Sequence, residues 1–262
     1  MKELVNFKMT QVLADNYSPG IYMEMVEGFE RWKDKTEHRP FLLSVLKERV
    51  PAGACVLDAA VGVGHDAIYL AKQGYPVHGN DIDKDALKLA RKNAKRAGAK
   101  IVFTGVNWLD FRLYNVYYGV VLCLGNSLTY LFDKDQQLQA LKNFRNKLDV
   151  PDCTLVIDER NYQYMFDHAR EIERRRFRYP GVYALSKKDV HLTPLAIKEG
   201  EVIMRAASRQ TGHTLDLKFY PFKRNEMLSL LRETGFRRIE QFSDYIPGFN
   251  PNADFYQYVC TK

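Results

Sequence analysis

The amino-acid sequence predicts an α/β protein built on a doubly wound, mostly parallel sheet of seven strands. Short apolar runs alternate with segments of helical periodicity through the first two thirds of the 262 residues. Apolar residues make up 46% of the chain, which is enough for a sizeable core and too much for wholesale disorder. We therefore expect one domain, 1–262, with a region inserted late in the sheet.

Three strands and two helices are predicted in the first part of the alternation. The strands are the apolar runs at 54–60, 75–81 and 100–106, and the helices between them lie at 66–74 and 84–98. Both helical segments end at a glycine, which is typical of a helix C-terminus. Periodicity and end signals therefore agree for these elements.

The alternation continues with a helix at 134–148 between strands at 117–125 and 153–159. Strands separated by helices of this length are typical of a parallel sheet. Ligands of such sheets bind in the crevice at the carboxyl ends of the strands, so we look for functional residues there.

The pattern changes after about residue 165. Residues 166–215 have weak periodicity, many charges and several Pro and Gly breakers, and they predict an inserted lid over the ligand crevice. Within and just after this region, alternation at 201–208 and 214–222 predicts an antiparallel pair of strands. A helix at 224–235 and a strand at 254–262 follow.

The chain is basic, with a net charge of +7 and a pI near 9.1. This charge favours anionic partners in general, so nucleic acid has to be considered. The densest arginine run, REIERRRFR at 170–178, contains glutamates at helical spacing from arginines. We interpret that run as a solvated helix face rather than a nucleic-acid surface.

The cysteines indicate a reduced environment. Three of the four lie in apolar, strand-like runs and none has CxxC spacing, so neither a disulfide framework nor a metal site is predicted. The first residues, MKELVNFKMTQVLADN, lack the apolar stretch of a signal peptide, and no run is long enough to span a membrane. We expect a cytoplasmic protein without a membrane partner.

A glycine pair follows the first predicted strand, in VLDAAVGVGHDAIYLAKQGYPVHGNDID (56–83). The register is Ala60-x-Gly62-x-Gly64-x-x-Ala67, so alanine replaces the outer two glycines of the dinucleotide motif G-x-G-x-x-G. A lone glycine pair is a weak signal for a nucleotide, and the flanking residues have to identify the ligand.

Two acidic residues at strand ends favour S-adenosylmethionine over a dinucleotide. Asp58 lies four residues before Gly62, where a carboxylate would repel a pyrophosphate but suits a ligand with an ammonium group. Asp81 ends the next strand and can accept hydrogen bonds from both ribose hydroxyls. Ile82, which follows it, and Leu124, at the end of the fourth strand, are assigned to the same cofactor site.

The segment after the third strand supports this interpretation. Asn107, Trp108 and Leu109 follow that strand, where a flat side chain could stack on an adenine. A core tryptophan is the alternative for Trp108. The strand-end acids and this segment together predict a class I methyltransferase fold.

Four motifs in one order extend the prediction from a fold to a family. With the glycine segment, NWLD, LCLGNSLTYL and LVIDERNYQYM, the chain resembles the glycine and glycine/sarcosine N-methyltransferases from about residue 15 to 220. The pairing of LCLGNS with LVID-x-RNY is the specific part of this resemblance. It implies that Asp81 holds the ribose and that Trp108 and Leu109 frame the adenine.

The resemblance also implies roles on the substrate side. Asn126 in LGNS matches the asparagine that faces the amino acid, and the Gly125 carbonyl would lie near its amine. Arg160 in IDERNY matches the arginine that binds the substrate carboxylate. Tyr17 in DNYSPG and Tyr220 in FYPF match tyrosines that line the site.

The sequence departs from the family at several positions. Tyr183 is a weak match to a tyrosine of the lid. The family's N-terminal arginine, which grips the cofactor carboxylate, has Lys35 as its nearest match, with Arg39 as a competitor. Tyr130 replaces a histidine found in some members.

The expected reaction is methyl transfer from S-adenosylmethionine to the amine of glycine or sarcosine, with S-adenosylhomocysteine as the second product. Another small amine with a carboxylate is an open alternative, and the number of methyl groups and a homo-oligomeric state are also open. A nucleic-acid enzyme is less favoured, because LGNSL stands where amino-methylating DNA enzymes carry an Asn/Asp-Pro-Pro-aromatic motif. No histidine is assigned as a base, so the amine is expected to bind unprotonated.

Overall fold

The computed structural model describes residues 37–50, 52–113, 116–148, 152–173, 190–208 and 211–262. Its strands are β1 Val56–Asp58, β2 Val77–Asn80, β3 Ile101–Thr104, β4 Val120–Cys123, β5 Thr154–Arg160, β6 Val190–Lys198, β7 Glu201–Ser208, β8 Thr214–Phe219, β9 Arg238–Ser243, β10 Ile246–Pro247 and β11 Phe255–Thr261. Its α-helices are α1 His38–Arg49, α2 His65–Lys72, α3 Lys84–Ala97, α4 Lys134–Lys147, α5 Tyr162–Asp167, α6 Ala169–Glu173 and α7 Glu226–Glu233. Two short 3-10 helices, Trp108–Leu113 and Ser127–Tyr130, follow β3 and β4.

The large sheet has the strand order β10-β9-β11-β5-β4-β1-β2-β3. Strands β1 to β5 are parallel to one another, and β11 runs antiparallel between β5 and β9. The doubly wound α/β prediction is confirmed. The sheet has eight strands rather than seven, because the two-residue β10 pairs with β9 at one edge.

The helices begin and end where side chains and glycines provide caps. At the start of α3 the Asp83 carboxylate accepts hydrogen bonds from the backbone N–H groups of Asp85 and Ala86, and Gly98 ends the helix in the left-handed region. At the start of α4 the Asp133 side chain accepts from the N–H of Gln136. These caps explain why the sequence located both helices within a few residues.

The core lies in two layers, one on each face of the large sheet. One layer packs α4 and α7 against alternate residues of β5 and β11, and the other packs α1 and α2 against the opposite face. All residues of β4 are buried, as expected for a central parallel strand. The sequence pattern did not locate α1, β6, β9 or β10.

A second, three-stranded sheet, here called the small sheet, has the order β6-β7-β8 and is antiparallel throughout. The predicted pairing of β7 with β8 is confirmed. The sequence missed β6 because Pro194 and a register shift after it interrupt its alternation. Parts of the predicted lid, at 174–189 and 209–210, lie outside the described residues.

The described helices include none that is long and apolar enough to cross a membrane. The four cysteines are all unpaired. Within the described ranges, no group of three or more His, Cys, Asp or Glu side chains could hold a metal ion.

Candidate active site

The glycine loop connects β1 to α2 at the edge of the large sheet where the parallel strands β1 to β5 have their carboxyl ends. Gly62 and Gly64 have φ of 52° and 90°, which L side chains rarely adopt. A Cβ added to Gly64 would lie 3.3 Å from the Cβ of Ala90 in α3, so the turn also needs glycine for space. The sequence therefore requires glycine here for a tight turn that exposes backbone to the crevice.

Asp81 holds the glycine loop in place. Its Oδ2 accepts a hydrogen bond from the N–H of Gly62 at 2.8 Å, and its Oδ1 accepts from the N–H of Asp83 at 2.9 Å. Burial raises the pKa of Asp81 to about 6, although these two backbone hydrogen bonds oppose the shift. The carboxylate is therefore mainly ionised at neutral pH and is a strong acceptor beside the loop.

Asn80, the residue before Asp81, joins three strand ends and was missed from the sequence. Its amide nitrogen donates to the carbonyls of Ala59 and Val106, at 3.4 and 3.0 Å. Its Oδ1 accepts from the hydroxyl of Thr104 and the N–H of Val106, both at 2.9 Å. This buried amide aligns the ends of β1, β2 and β3, and an isolated asparagine in a strand gives no sequence signal for that.

Trp108 packs beneath the same loop. Its indole N–H donates to the carbonyl of Ala59 at 2.8 Å, and its ring meets Phe144 edge-on with centroids 5.4 Å apart. The Asn107 side chain accepts from the N–H of Leu109 at 3.0 Å and fixes the start of the 3-10 turn. Trp108 therefore packs against Phe144 through its ring and bonds to Ala59 through its indole nitrogen. Its stacking on an adenine stays a prediction, and so does the role of Leu109.

Two buried acids lie at the ends of β1 and β5, the strands on either side of β4. Asp58 is the last residue of β1, and Asp158 lies near the end of β5. Both raise the pKa of the Cys123 thiol at the end of β4, although burial is the larger cause. Leu124 follows that cysteine and is buried, and its carbonyl accepts from the Ser127 hydroxyl at 2.7 Å.

Asn126 lies at the centre of a second group of bonded residues, at the ends of β4 and β5. The first group surrounds the glycine loop. Asn126 has a φ of 62°, a left-handed conformation that asparagine tolerates better than most residues. The N–H groups of Gly125 and Asn126 both donate to the Asp158 carboxylate, at 3.0 and 2.7 Å. The Asn126 side chain donates to the Tyr162 hydroxyl at 2.7 Å and accepts from the Arg160 N–H at 2.9 Å.

Arg160 ends β5 with only 5% of its surface exposed. Its guanidinium carbon lies 5.1 Å from the ring centroid of Phe255 on β11. The predicted Gly125, Asn126 and Arg160 therefore come together in one network. The sequence missed its other members, Asp158 and Tyr162, although Asp158 and Arg160 are two residues apart on a strand and so share a face.

Tyr130 lies between the group of residues around the glycine loop and the group around Asn126. Its ring stacks on Phe219 at the end of β8, with centroids 5.4 Å apart. Burial raises its pKa, the nearby Tyr162 and Asp81 raise it further, and Arg160 opposes the shift. The Tyr130 hydroxyl is therefore within electrostatic reach of the acid on one side and the arginine on the other.

Tyr220 does not join the Asn126 network through its hydroxyl. The hydroxyl donates to Glu226 at 2.6 Å, and burial together with this bond raises its pKa to about 12. Its ring meets Phe222 and Phe132 edge-on. The backbone of Tyr220 does contact the site, because its N–H donates to the Thr129 carbonyl at 2.8 Å.

Several candidate residues cannot be placed. Tyr17, Lys35 and Tyr183 lie outside the described residues. Arg39, the competitor of Lys35, lies in α1 with its guanidinium 4.5 Å from the ring centroid of Tyr69. The cofactor-carboxylate assignment therefore stays a prediction.

Glu159 stands between two members of the network but faces away from them. The Tyr258 hydroxyl donates to its Oε1 at 2.6 Å, and its buried Oε2 has no hydrogen-bond partner among the described residues. Burial raises the pKa of Glu159 to about 8, with Glu226 and Asp158 adding to the shift and the Tyr258 bond opposing it. Glu159 therefore gains or loses its proton on the face of β5 opposite to Asp158 and Arg160.

Comparison with known proteins agrees with this geometry. A family model described as a methyltransferase domain matches residues 56–149. The chain is 26% identical to the glycine/sarcosine N-methyltransferase of Halorhodospira halochloris over 91% of this chain and 89% of that one. It is 34% identical to the glycine N-methyltransferase of Rattus norvegicus over 49% of this chain and 47% of that one.

A solved structure shares the fold. The S-adenosylmethionine-dependent methyltransferase from Clostridium acetobutylicum superposes with a TM-score of 0.69 at 15% identity, over 92% of this chain and 96% of that one. At this identity the likeness shows the fold alone.

Proposed function

Since the chain is an S-adenosylmethionine-dependent methyltransferase with the class I fold, we propose that it methylates the amine of glycine or sarcosine. The observation that supports this substrate class is the buried arginine Arg160 at the end of β5, whose backbone N–H donates to Asn126 beside the buried Asp158 carboxylate. The names of its relatives point to the same class.

The described residues fit the cofactor. The Asp81 carboxylate lies at the end of β2 beside the glycine loop, where it can accept hydrogen bonds from ribose hydroxyls. Ala60 and Gly62 offer close backbone approach, and Asp58 and Ile82 border the same loop. S-adenosylmethionine supplies an activated methyl group when it is bound.

The substrate residues would act by orientation. A planar guanidinium binds a carboxylate bidentately, so Arg160 would fix both the position and the direction of an amino acid. The Gly125 carbonyl and the remaining bonding capacity of the Asn126 amide would face the amine. Positioning of this kind can contribute roughly 7–11 kcal/mol to lowering a barrier.

The small sheet would cover the crevice as a lid. Two contacts support this role: Tyr130 stacks on Phe219, and the N–H of Tyr220 donates to the carbonyl of Thr129. Both join the end of β8 to the short helix that follows Asn126.

We further propose a cytoplasmic location for the chain. Light scattering of the purified chain would test whether it forms a homo-oligomer.

A different small amine that carries a carboxylate is the second candidate. Tyr130 favours it, because this residue replaces a histidine found in some members of the family and would give the substrate pocket a different lining. The Arg160 clamp would be the same for both candidates. A panel of amines therefore has to separate them.

The test offers the chain a panel of substrates together with S-adenosylmethionine and detects methylated products by mass. The panel contains glycine, sarcosine, dimethylglycine, other amino acids and amines without a carboxylate. We expect transfer to glycine or sarcosine and none to amines without a carboxylate. Transfer to a different carboxylate-bearing amine, with none to glycine or sarcosine, would favour the second candidate. Arg160→Lys should raise KM for these substrates at least tenfold with cofactor binding nearly unchanged, because a lysine cannot bind bidentately. Arg224→Lys, at an exposed ion pair, is the matched control.

Two results would contradict the proposal. One is equally efficient methylation of amines that lack a carboxylate. The other is an Arg160→Lys variant that loses cofactor binding to the same degree as substrate binding, since the arginine would then serve the fold or the cofactor.

A further inference from the structure

Almost the whole net charge of the chain lies on one helix and the turn after it. Residues 84–100 contain seven basic side chains and one acidic side chain, Asp85, which gives +6 of the total +7. The basic residues are Lys84, Lys88, Arg91, Lys92, Lys95, Arg96 and Lys100, and all seven are exposed. The remainder of the sequence is nearly neutral, so the charge is concentrated rather than spread over the surface.

These cations have no acidic partners in the described part of the chain, where none of the seven forms an ion pair with an acidic side chain. Other exposed cations do, as in Lys134 with Glu233 at 3.3 Å. Positions 84, 88, 91 and 95 are three or four residues apart and so form one stripe along α3. The stripe is a strongly positive surface.

An apolar groove with a volume of about 590 Å³ runs beside the stripe. Val77, Ile101 and Val102 contribute to its floor, and Arg91, Lys95 and Lys100 form its basic rim. The strand β3 is the last in the large sheet, so its outer edge has no strand neighbour among the described residues. Val102 in that strand is 52% exposed.

We propose that this groove binds an acidic, extended segment of a partner protein along the outer edge of β3. Alternate side chains of an extended segment point to opposite sides, so aliphatic residues could enter the groove while Asp or Glu residues meet the rim. The charge complementarity and the open strand edge both favour this occupant.

Nucleic acid fits the groove less well than a peptide does. Stacking of bases needs an exposed aromatic face. The ring of Phe103, the one phenyl group among the described lining residues, lies beneath the guanidinium of Arg91, whose carbon is 6.0 Å from the ring centroid. The same Arg91 donates to the Phe103 carbonyl at 3.4 Å, which keeps it over the ring. The remaining floor is mainly aliphatic.

The test uses a fluorescein-labelled peptide of eight residues that alternates glutamate and valine, with a lysine–valine peptide and a labelled single-stranded RNA as comparisons. Fluorescence anisotropy should show saturable, salt-sensitive binding of the acidic peptide only. Lys95→Glu with Lys100→Glu should weaken it at least tenfold. Lys47→Glu with Lys142→Glu changes the net charge equally at exposed sites on α1 and α4, and it should weaken binding less than twofold.

Val102→Lys separates docking in the groove from general charge attraction. It adds a positive charge but places a long side chain on the edge of β3, so the proposal requires weaker binding despite the added charge. Circular dichroism of each variant checks that it is folded. Stronger binding by Val102→Lys, no saturable binding by the parent chain, or tighter binding of the RNA would overturn the proposal. If the acidic peptide does not bind, the basic residues would instead serve to prevent the outer edge of β3 from pairing with a strand of another chain.

Discussion

The two halves of the crevice are built differently. In the cofactor half, side chains bond mainly to the backbone: Asp81 to Gly62, Asn80 to Val106 and Trp108 to Ala59. In the substrate half, side chains also bond to each other, as Asn126 does to Tyr162, around a buried carboxylate. The match to the methyltransferase domain, residues 56–149, includes Asp81, Trp108 and Asn126 and ends before Asp158.

The difference separates a part of the site that is built around backbone groups from a part that is built around side chains. Backbone geometry around a glycine loop suits a ligand that many proteins share, and it needs only a few residue types. A side-chain network can be changed at several positions without disturbing the sheet. Variants in the two halves should therefore affect different binding steps.

Asp158→Ala should have the largest effect and tests whether the substrate half is one unit. The change leaves the N–H groups of Gly125 and Asn126 without their acceptor, at a cost of about 1–3 kcal/mol each. We expect kcat/KM to fall roughly 100-fold or more while the cofactor Kd changes little. Steady-state kinetics and calorimetric titration measure the two quantities. Asp152→Ala, at an exposed position, is the control, and equal losses in both quantities would remove the distinction between the halves.

Asp81→Asn should have the next largest effect, in the opposite half. An amide accepts hydrogen bonds more weakly than a carboxylate, and bonds to charged groups contribute about 1.5–3 kcal/mol. We expect the cofactor Kd to rise by roughly 10- to 100-fold, with the amino acid KM at saturating cofactor almost unchanged. Asp85→Asn, which is exposed on α3, should behave as the parent chain. If Asp81→Asn raised the amino acid KM alone, the assignment of this half would be wrong.

Tyr162→Phe should have a smaller effect, confined to the substrate half. It removes the hydroxyl that accepts from the Asn126 amide at 2.7 Å, a bond that contributes about 1 kcal/mol. The amino acid KM should rise by roughly five- to tenfold, with a smaller change in kcat. The exposed Tyr117→Phe is the matched control. An unchanged KM would show that Asn126 is held by its bond to Arg160 alone.

Glu159→Gln should affect stability and leave both binding steps unchanged. The pKa of Glu159 is raised from about 4.5 to about 8, so the folded chain favours the protonated carboxyl. The contribution of this group to stability is complete below about pH 4.5 and is lost as the pH rises through about 8.

Glutamine resembles the protonated form, so the variant should melt at a higher temperature than the parent chain near pH 9 and at a similar temperature near pH 5. Thermal unfolding at both pH values measures this difference. A larger gap at the lower pH would reverse the sign and contradict the buried, protonated state of this acid.

The glycine loop and the acid of the cofactor half could be located from the sequence because their determinants are local. Gly62, Gly64 and Asp81 occupy fixed positions after the first two strands, and a tight turn beside a strand-end carboxylate restricts the residue types allowed there. Asn80 was missed, because nothing in a strand sequence shows that one amide bonds to the ends of both neighbouring strands. The strands of the large sheet were predicted where apolar runs were continuous and missed at β9, where charged and polar residues dominate.

In the substrate half, the resemblance to a family supplied Asn126 and Arg160, but their partners became visible only in the structure. Asp158 and Tyr162 bond to residues more than 30 positions away. The role of Tyr220 in lining the site stays a prediction, and the bond from its hydroxyl to Glu226 became visible only in the structure. Spacing along the chain does not determine which way such a side chain turns.

The position of β11 has a consequence for how the chain folds. Val56 pairs with Val77 and Val77 pairs with Ile101, so these parallel pairings close loops of roughly 20–25 residues and can form early. Pairing of Phe255 with Arg160 has to close a loop of roughly 100 residues, which carries a larger entropic cost. Because β9 joins the described part of the large sheet by way of β11, we expect this edge, with Arg160, to consolidate last, and its amides should exchange faster than those of β1, β2 and β4.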